Sequence, residues 1–140
     1  FKISIGFTNI RARFKNYQQG SNRYDGNQLT GTAPNVFAAN ADIIYSKKIY
    51  IHTSYSYTDH IPLTDANSFY APSYWLFFVK VGYKTKLGAS TEADFFFTSE
   101  RSTNNPYSLG NDLNAAANRF FNPAAPQLFS IGIQCRFKVK

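Results

Sequence analysis

A two-residue period constrains this chain more than any other feature: over several stretches the odd-numbered residues are apolar and their even-numbered neighbours are mostly polar. Phe129, Ile131, Ile133, Cys135 and Phe137 alternate with Ser130, Gly132, Gln134, Arg136 and Lys138. The same phase runs through Ile49, Ile51, Thr53, Tyr55 and Tyr57, through Trp75, Phe77, Val79, Val81 and Tyr83, and through Ala93, Phe95 and Phe97. Successive side chains of a strand point to opposite faces, so each stretch predicts a strand that is apolar on one face and polar on the other. A series of such strands needs an apolar medium on one side and water on the other, which is what a barrel wall needs. That medium is either lipid or the chain's own core.

The composition agrees with strands. Aromatic residues make up 18% of the 140, with 14 Phe, 10 Tyr and no Met. Aromatic and β-branched side chains suit a pleated surface, and no stretch carries a strongly amphipathic helical pattern. Nor does any apolar run reach the ~18 residues that a membrane-spanning helix needs, although strand alternation would conceal a membrane barrel from that test. A single cysteine, Cys135, leaves no internal disulfide and no indication of redox compartment. The net charge of +7 is compatible with nucleic acid, an anionic surface, an anionic ligand or a simply solvated face. The 140 residues read as one domain, and because the chain opens inside a strand pattern at Phe1-Lys2-Ile3-Ser4-Ile5, it is expected to be a piece of something longer.

Six strands are expected, over residues 2–17, 36–46, 48–59, 74–84, 91–99 and 127–139, in an all-β antiparallel meander. Several run longer than the usual globular strand, and all reach the roughly nine to eleven residues with which a tilted strand crosses a bilayer. The first changes phase, from Phe1, Ile3, Ile5 and Phe7 to Ile10, Ala12 and Phe14, which predicts a β-bulge near Thr8-Asn9. In the fourth, Tyr74, Leu76 and Phe78 put large groups on the wet face, as if to pack against something inside. The connections at 46–48 and 85–89 are short. Those at 18–35, 60–73 and 100–126 are long and rich in Asn, Gly, Pro, Ser and Tyr, and the last carries no helix or strand pattern of its own. Short turns at one end and long loops at the other is the asymmetry of outer-membrane barrels.

No catalytic or metal-binding pattern stands out. His52 and His60 have no ligand spacing with each other or with Cys135, and Glu92 and Asp94 read as the polarity of a wet wall. Neither a nucleophile elbow nor a phosphate-binding glycine loop occurs. An enzyme is not expected, nor is a cofactor. The basic residues are scattered among turns, the first strand and the C-terminus, so nucleic acid is not an expected partner.

Three segments resemble a known family. Gly31-Thr32-Ala33-Pro34-Asn35, directly before a strand, resembles an element that opens a late barrel strand in TonB-dependent outer-membrane receptors. The run from Tyr55-Ser56-Tyr57-Thr58-Asp59-His60 through Asp65-Ala66-Asn67 is similar to a strand and loop of the Bacteroidetes-type iron-complex branch. Tyr107-Ser108-Leu109-Gly110-Asn111-Asp112-Leu113-Asn114, with Arg119-Phe120-Phe121-Asn122-Pro123 after it, resembles the last extracellular loop of the same branch. The alternating run that closes at Phe137 resembles the aromatic C-terminal signature of outer-membrane proteins, although Lys138-Val139-Lys140 follow it, and residues 99–105 depart from the family pattern.

The resemblance implies the last six strands of a barrel of about twenty-two, in the outer membrane, taking up a ferric siderophore or similar iron complex. Energy would come through TonB, engaged by an N-terminal region outside this stretch. Lipid would cover the odd face, and an isolated fragment would self-associate through its open edges. Lys2, Arg11, Arg13 and Lys15 would line the lumen or its outer mouth and attract an anionic chelate. Arg23, Tyr24, Tyr70, Tyr107, Asn111, Asp112, Asn114 and Arg119 are the loop candidates for ligand contact. Two other architectures fit the pattern: a soluble lipocalin-like β-barrel with an apolar interior that binds a small apolar ligand, and a small membrane barrel assembled from several copies.

Overall fold

The computed structural model describes residues 1–102, 107–125 and 127–138. Six strands form one antiparallel sheet in chain order: β1 (Lys2–Asn9), β2 (Asn35–Tyr45), β3 (Ile49–Thr58), β4 (Tyr74–Lys86), β5 (Thr91–Ser102) and β6 (Gln127–Phe137). The fold is all-β and the sheet is the meander that the alternation predicts, with β1 and β6 at its edges. The three long connections leave from one end of the sheet and the two short turns from the other.

Strand register turns a sequence period into a two-faced sheet. In all five ladders every opposed pair joins two odd or two even residues, as in the row Ile43, Ile51, Val81, Phe97, Ile131 across β2 to β6. Opposed residues share a face, and a slip of one residue in any ladder would have mixed the two sets. The odd face is therefore apolar from edge to edge, and no layer of the described chain covers it. Ile131 is 85% exposed, and Ile3, Phe7, Ile43, Phe77 and Phe97 are exposed as well. Cys135 lies on this face as a free, exposed thiol.

The even face satisfies its own polar groups. His52 Nδ1 lies 2.6 Å from Asp42 Oδ1, and the Tyr50 hydroxyl donates to Asp94, 2.9 Å from either carboxylate oxygen. Two rings lie flat where neighbouring strands carry glycine. A Cβ on Gly82 would come within 2.1 Å of Tyr50 Cζ, and one on Gly132 within 2.2 Å of Phe96 Cζ. Lys80 Nζ sits 4.0 Å above the Phe96 ring and 5.8 Å from that of Tyr50, so the cation is held by aromatic faces instead of by a carboxylate.

Three expectations are corrected. The first strand ends at Asn9, and its ladder with β2 runs without a bulge. The irregularity lies on the opposite segment: Asn9 faces Asn35, whereas Arg13 next bridges Gln28, so the partner side spends three extra residues around the left-handed Gly31. The phase change at Ile10 marks this slip. Secondly, β4 and β5 run on to Lys86 and Ser102, whereas β6 is assigned to Phe137, with Val139 and Lys140 outside the described residues. Thirdly, the long connections have internal structure. Small ribbons pair Gln18–Gln19 with Asn22–Arg23, Ile61–Pro62 with Tyr70–Ala71, and Ser108–Asn111 with Phe121–Pro123, and a 3-10 turn spans Ala116–Asn118.

Candidate functional site

The long connections fold onto one another at the loop end of the sheet. Their apolar residues, few and scattered in sequence, gather into a small core: Leu63 is fully buried, and Ala71 and Phe120 pack with it beside Ile61 and Ala115. Tyr107 is buried too, its ring 5.3 Å from that of Tyr74 at the start of β4. Tyr74, the first of the large wet-face groups of β4, thus packs under a loop.

Asp65 ties the connections together. Its carboxylate accepts from Thr30 Oγ1 at 2.6 Å and from the Tyr17 hydroxyl at 3.2 Å, both in the first long connection. Its backbone N–H donates to Asn114 Oδ1 at 3.0 Å, in the third, and its carbonyl accepts from Asn27 Nδ2 at 2.8 Å. Asn67 repeats the device, accepting from the Gln28 N–H at 2.6 Å and donating to the Gln28 carbonyl at 3.0 Å. Backbone bonds from Gly31 to Pro62 and from Asn114 to Leu63 complete the junction. Asn67 and Asn114 both adopt left-handed backbone conformations, which asparagine tolerates better than most residues. Desolvation and then the Asp65 charge push the Tyr17 phenol above its ordinary range, which keeps it a donor.

Arg11 and Arg13 share a groove of about 520 Å³ with Asn9, Gln28 and Asn35, on the side where the β1 ladder slips. Arg13 Nη1 donates to the Gly26 carbonyl, and both arginines are exposed. Gln28 Oε1 is buried without a hydrogen-bond partner. Two exposed guanidinium groups can meet a ligand that carries carboxylates.

The other candidates divide between scaffold and surface. Arg23 is paired with Asp25, whose carboxyl this contact, together with the Tyr17 N–H at 2.7 Å, holds below the usual carboxylate range. Tyr24 leans on Tyr17, their ring centroids 5.9 Å apart. Tyr107 donates to the Ala125 carbonyl at 3.4 Å and is a packing residue, and Asn114 belongs to the Asp65 junction. Tyr70 is exposed and meets His60 edge-on at 5.4 Å, beside an Asp59 carboxyl lowered chiefly by the Asn35 amide. Asp112 and Arg119 are exposed, and Asn111 Oδ1 is buried and unpartnered. Sequence reasoning missed Asp65, Asn67, Thr30 and Leu63. The usable signals were the Asp-Ala-Asn turn at 65–67 and an apolar residue, Leu63, inside an otherwise polar loop. No protein-family model and no curated protein matches the chain.

Proposed function

We propose that this chain is wall and loop cap of an outer-membrane β-barrel of the TonB-dependent receptor type, which takes up a ferric siderophore or similar iron complex. The observation that carries the membrane reading is the uncovered odd face. A protein surrounded by water does not leave a continuous apolar sheet face bare, whereas lipid is the medium such a face requires. Aromatic residues occur at both ends of the odd face as well as between them, where Tyr55, Phe77, Phe97 and Phe129 lie. Phe7, Phe37, Tyr57 and Trp75 form a row near the loop end, and Tyr45, Tyr83 and Phe95 belong to a row toward the turns, with aliphatic Ile43, Ile51 and Val81 among the residues between. Trp75 and Tyr83 are about 26 Å apart along β4 at ~3.3 Å per residue, which projects to about 20 Å for a strand tilted by ~40°.

A lipocalin-like binder would enclose its apolar face. Here the concavity at the turn end is lined chiefly by even-face residues such as Lys84, Asp94 and Gln134, which favours the polar face as the inner one. The uptake reading draws on the resemblance, on the loop cap that Asp65 holds together, and on the cationic groove at Arg11 and Arg13. Further strands would close the barrel, and an N-terminal region would engage TonB.

Ile131 and Ser130 test the membrane reading, because both are exposed and they point to opposite faces. In water, lysine would be tolerated at either. In lipid, Ile131→Lys costs about 2–4 kcal/mol near the midplane, and Ser130→Lys on the lumen side is close to neutral. Heat-modifiable folded protein in the outer membrane should fall for the first and not the second; equal levels would refute a lipid-covered odd face. Growth of a strain lacking the receptor, on ferric siderophores as sole iron source, tests uptake. Restored expression should restore growth, and no restoration on any chelate would refute the transport assignment.

A further inference from the structure

At the opposite end from the loop cap, the polar face carries a second cationic feature that neither fold nor uptake accounts for. A cavity of about 590 Å³ opens there, within the roughly 300–1,000 Å³ usual for small-molecule sites. Its cations come from three separate elements: Lys47 and Lys48 from the β2–β3 turn, Lys84 and Lys86 from the end of β4, and Arg136 from β6. Of the cavity's two carboxylates, Glu92 is paired with Lys138 Nζ at 3.5 Å, and Asp94 accepts from the Tyr50 hydroxyl at 2.9 Å and keeps its charge, so the five cations of the lining still outnumber the carboxylates. Lys84 Nζ lies 5.0 Å from the Tyr50 ring. Lys47, Lys48, Lys86 and Arg136 have no ion-pair partner among the described residues.

We propose that this cavity binds a small multivalent oxyanion, a solute bearing phosphate or carboxylate groups. The frame that presents the cations is tied together by backbone. The β2–β3 turn is held by left-handed Ser46 and Lys47, and it is tied to β4 by the Lys84 N–H, which donates to the Lys48 carbonyl at 2.7 Å. Like charges gathered around one cavity repel, and a single multivalent anion relieves several of these repulsions at once, which a monovalent ion does not. Arg136 brings a planar fork that matches two oxygens of a carboxylate or phosphate, the lysines act as point charges, and the Gln134 side chain adds an amide at the wall. A nucleic acid or an acidic protein segment would need a longer cationic track than five residues around one cavity. The site belongs to the polar face whatever medium covers the other, so the inference stands apart from the uptake assignment.

The test is isothermal titration of pyrophosphate and, separately, of citrate into the native protein extracted in detergent. Saturable binding of either anion, weakening as sodium chloride is raised, is expected. Lys86→Gln and Arg136→Gln should each weaken it about tenfold, as loss of one charge-assisted contact implies. Lys86→Arg, which keeps the charge, should stay within about threefold of the parent, whereas Arg136→Lys, which keeps the charge and loses the fork, should fall between the parent and Arg136→Gln. Unboiled gel mobility reports whether each variant is folded, and Lys47→Gln in the exposed turn provides a substitution outside the strands with the same expected direction. No saturable binding of either anion, or parental affinity in the folded Gln variants, would overturn the proposal.

Discussion

Gly82→Ala should damage the wall, and the reason is geometric. The added methyl would lie 2.1 Å from Tyr50 Cζ, 2.3 Å from its hydroxyl oxygen and 2.4 Å from Cε1, so the ring must leave its place. Tyr50 is 6% exposed there, and its hydroxyl bonds Asp94. Losing a hydrogen bond to a charged acceptor costs about 1.5–3 kcal/mol. Exposing much of an aromatic ring costs up to about 1.5–3 kcal/mol more, and replacing glycine within a strand returns about 0.5–1 kcal/mol. The net is a loss of about 3 kcal/mol. Urea unfolding in detergent or lipid, followed through the single tryptophan Trp75, measures it. Tyr50→Phe should lose only the hydrogen-bond part. In the double variant Gly82→Ala with Tyr50→Ala the clash is absent, so its loss should be smaller than the sum of the two single losses. A loss below about 0.5 kcal/mol for Gly82→Ala, or simple additivity in the double variant, would refute the claim that the glycine exists to seat the ring.

Removing the Asp65 carboxylate should loosen the loop cap and spare the wall, because Asp65→Ala leaves the half-buried Thr30 and Tyr17 hydroxyls without their acceptor. Limited proteolysis should then cut within the long connections while the Trp75-monitored unfolding midpoint stays put, and unchanged loop resistance would refute the junction. The Asp25 carboxyl is depressed chiefly by Arg23, so it contributes stability above the unfolded pKa of about 3.9, and that contribution is lost as pH falls through the lower folded value. Amide protection in residues 17–25, taken relative to the intrinsic exchange rate at each pH, should fall below about pH 4, and Asp25→Asn should remove that dependence; an acid response that survives Asp25→Asn would assign it to another group.

The wall was legible because its code is local and repeated. One residue in two is apolar, the period holds through five of the six strands, and paired strands can bury or expose such a pattern consistently only in registers that keep odd opposite odd. The sorting of short turns from long loops could be read from the same spacing. The first strand was misjudged because a phase change reports that a register slips without reporting which partner slips. The extra residues lie around Gly31, about twenty positions away from the residues whose phase changes.

The interior of the cap could not be read in this way. Asp65, Thr30, Tyr17 and Asn114 belong to three different connections, and polar loop residues carry no period that would link them. Their pairing depends on the sheet bringing the loop bases together, after which Leu63 and Phe120 can exclude water and make unpaired polar groups costly. Tyr107 and Asn114, chosen from sequence for ligand contact, therefore turn out to build the cap. The same holds at the far end, where Lys47, Lys86 and Arg136 surround one cavity only because β2 to β6 lie side by side in one sheet. The alternation by itself determined which residues share a face. Only the tertiary structure decided which charges and hydrogen-bonding groups meet, because those meetings depend on long-range closure and not on the spacing of neighbours along the chain.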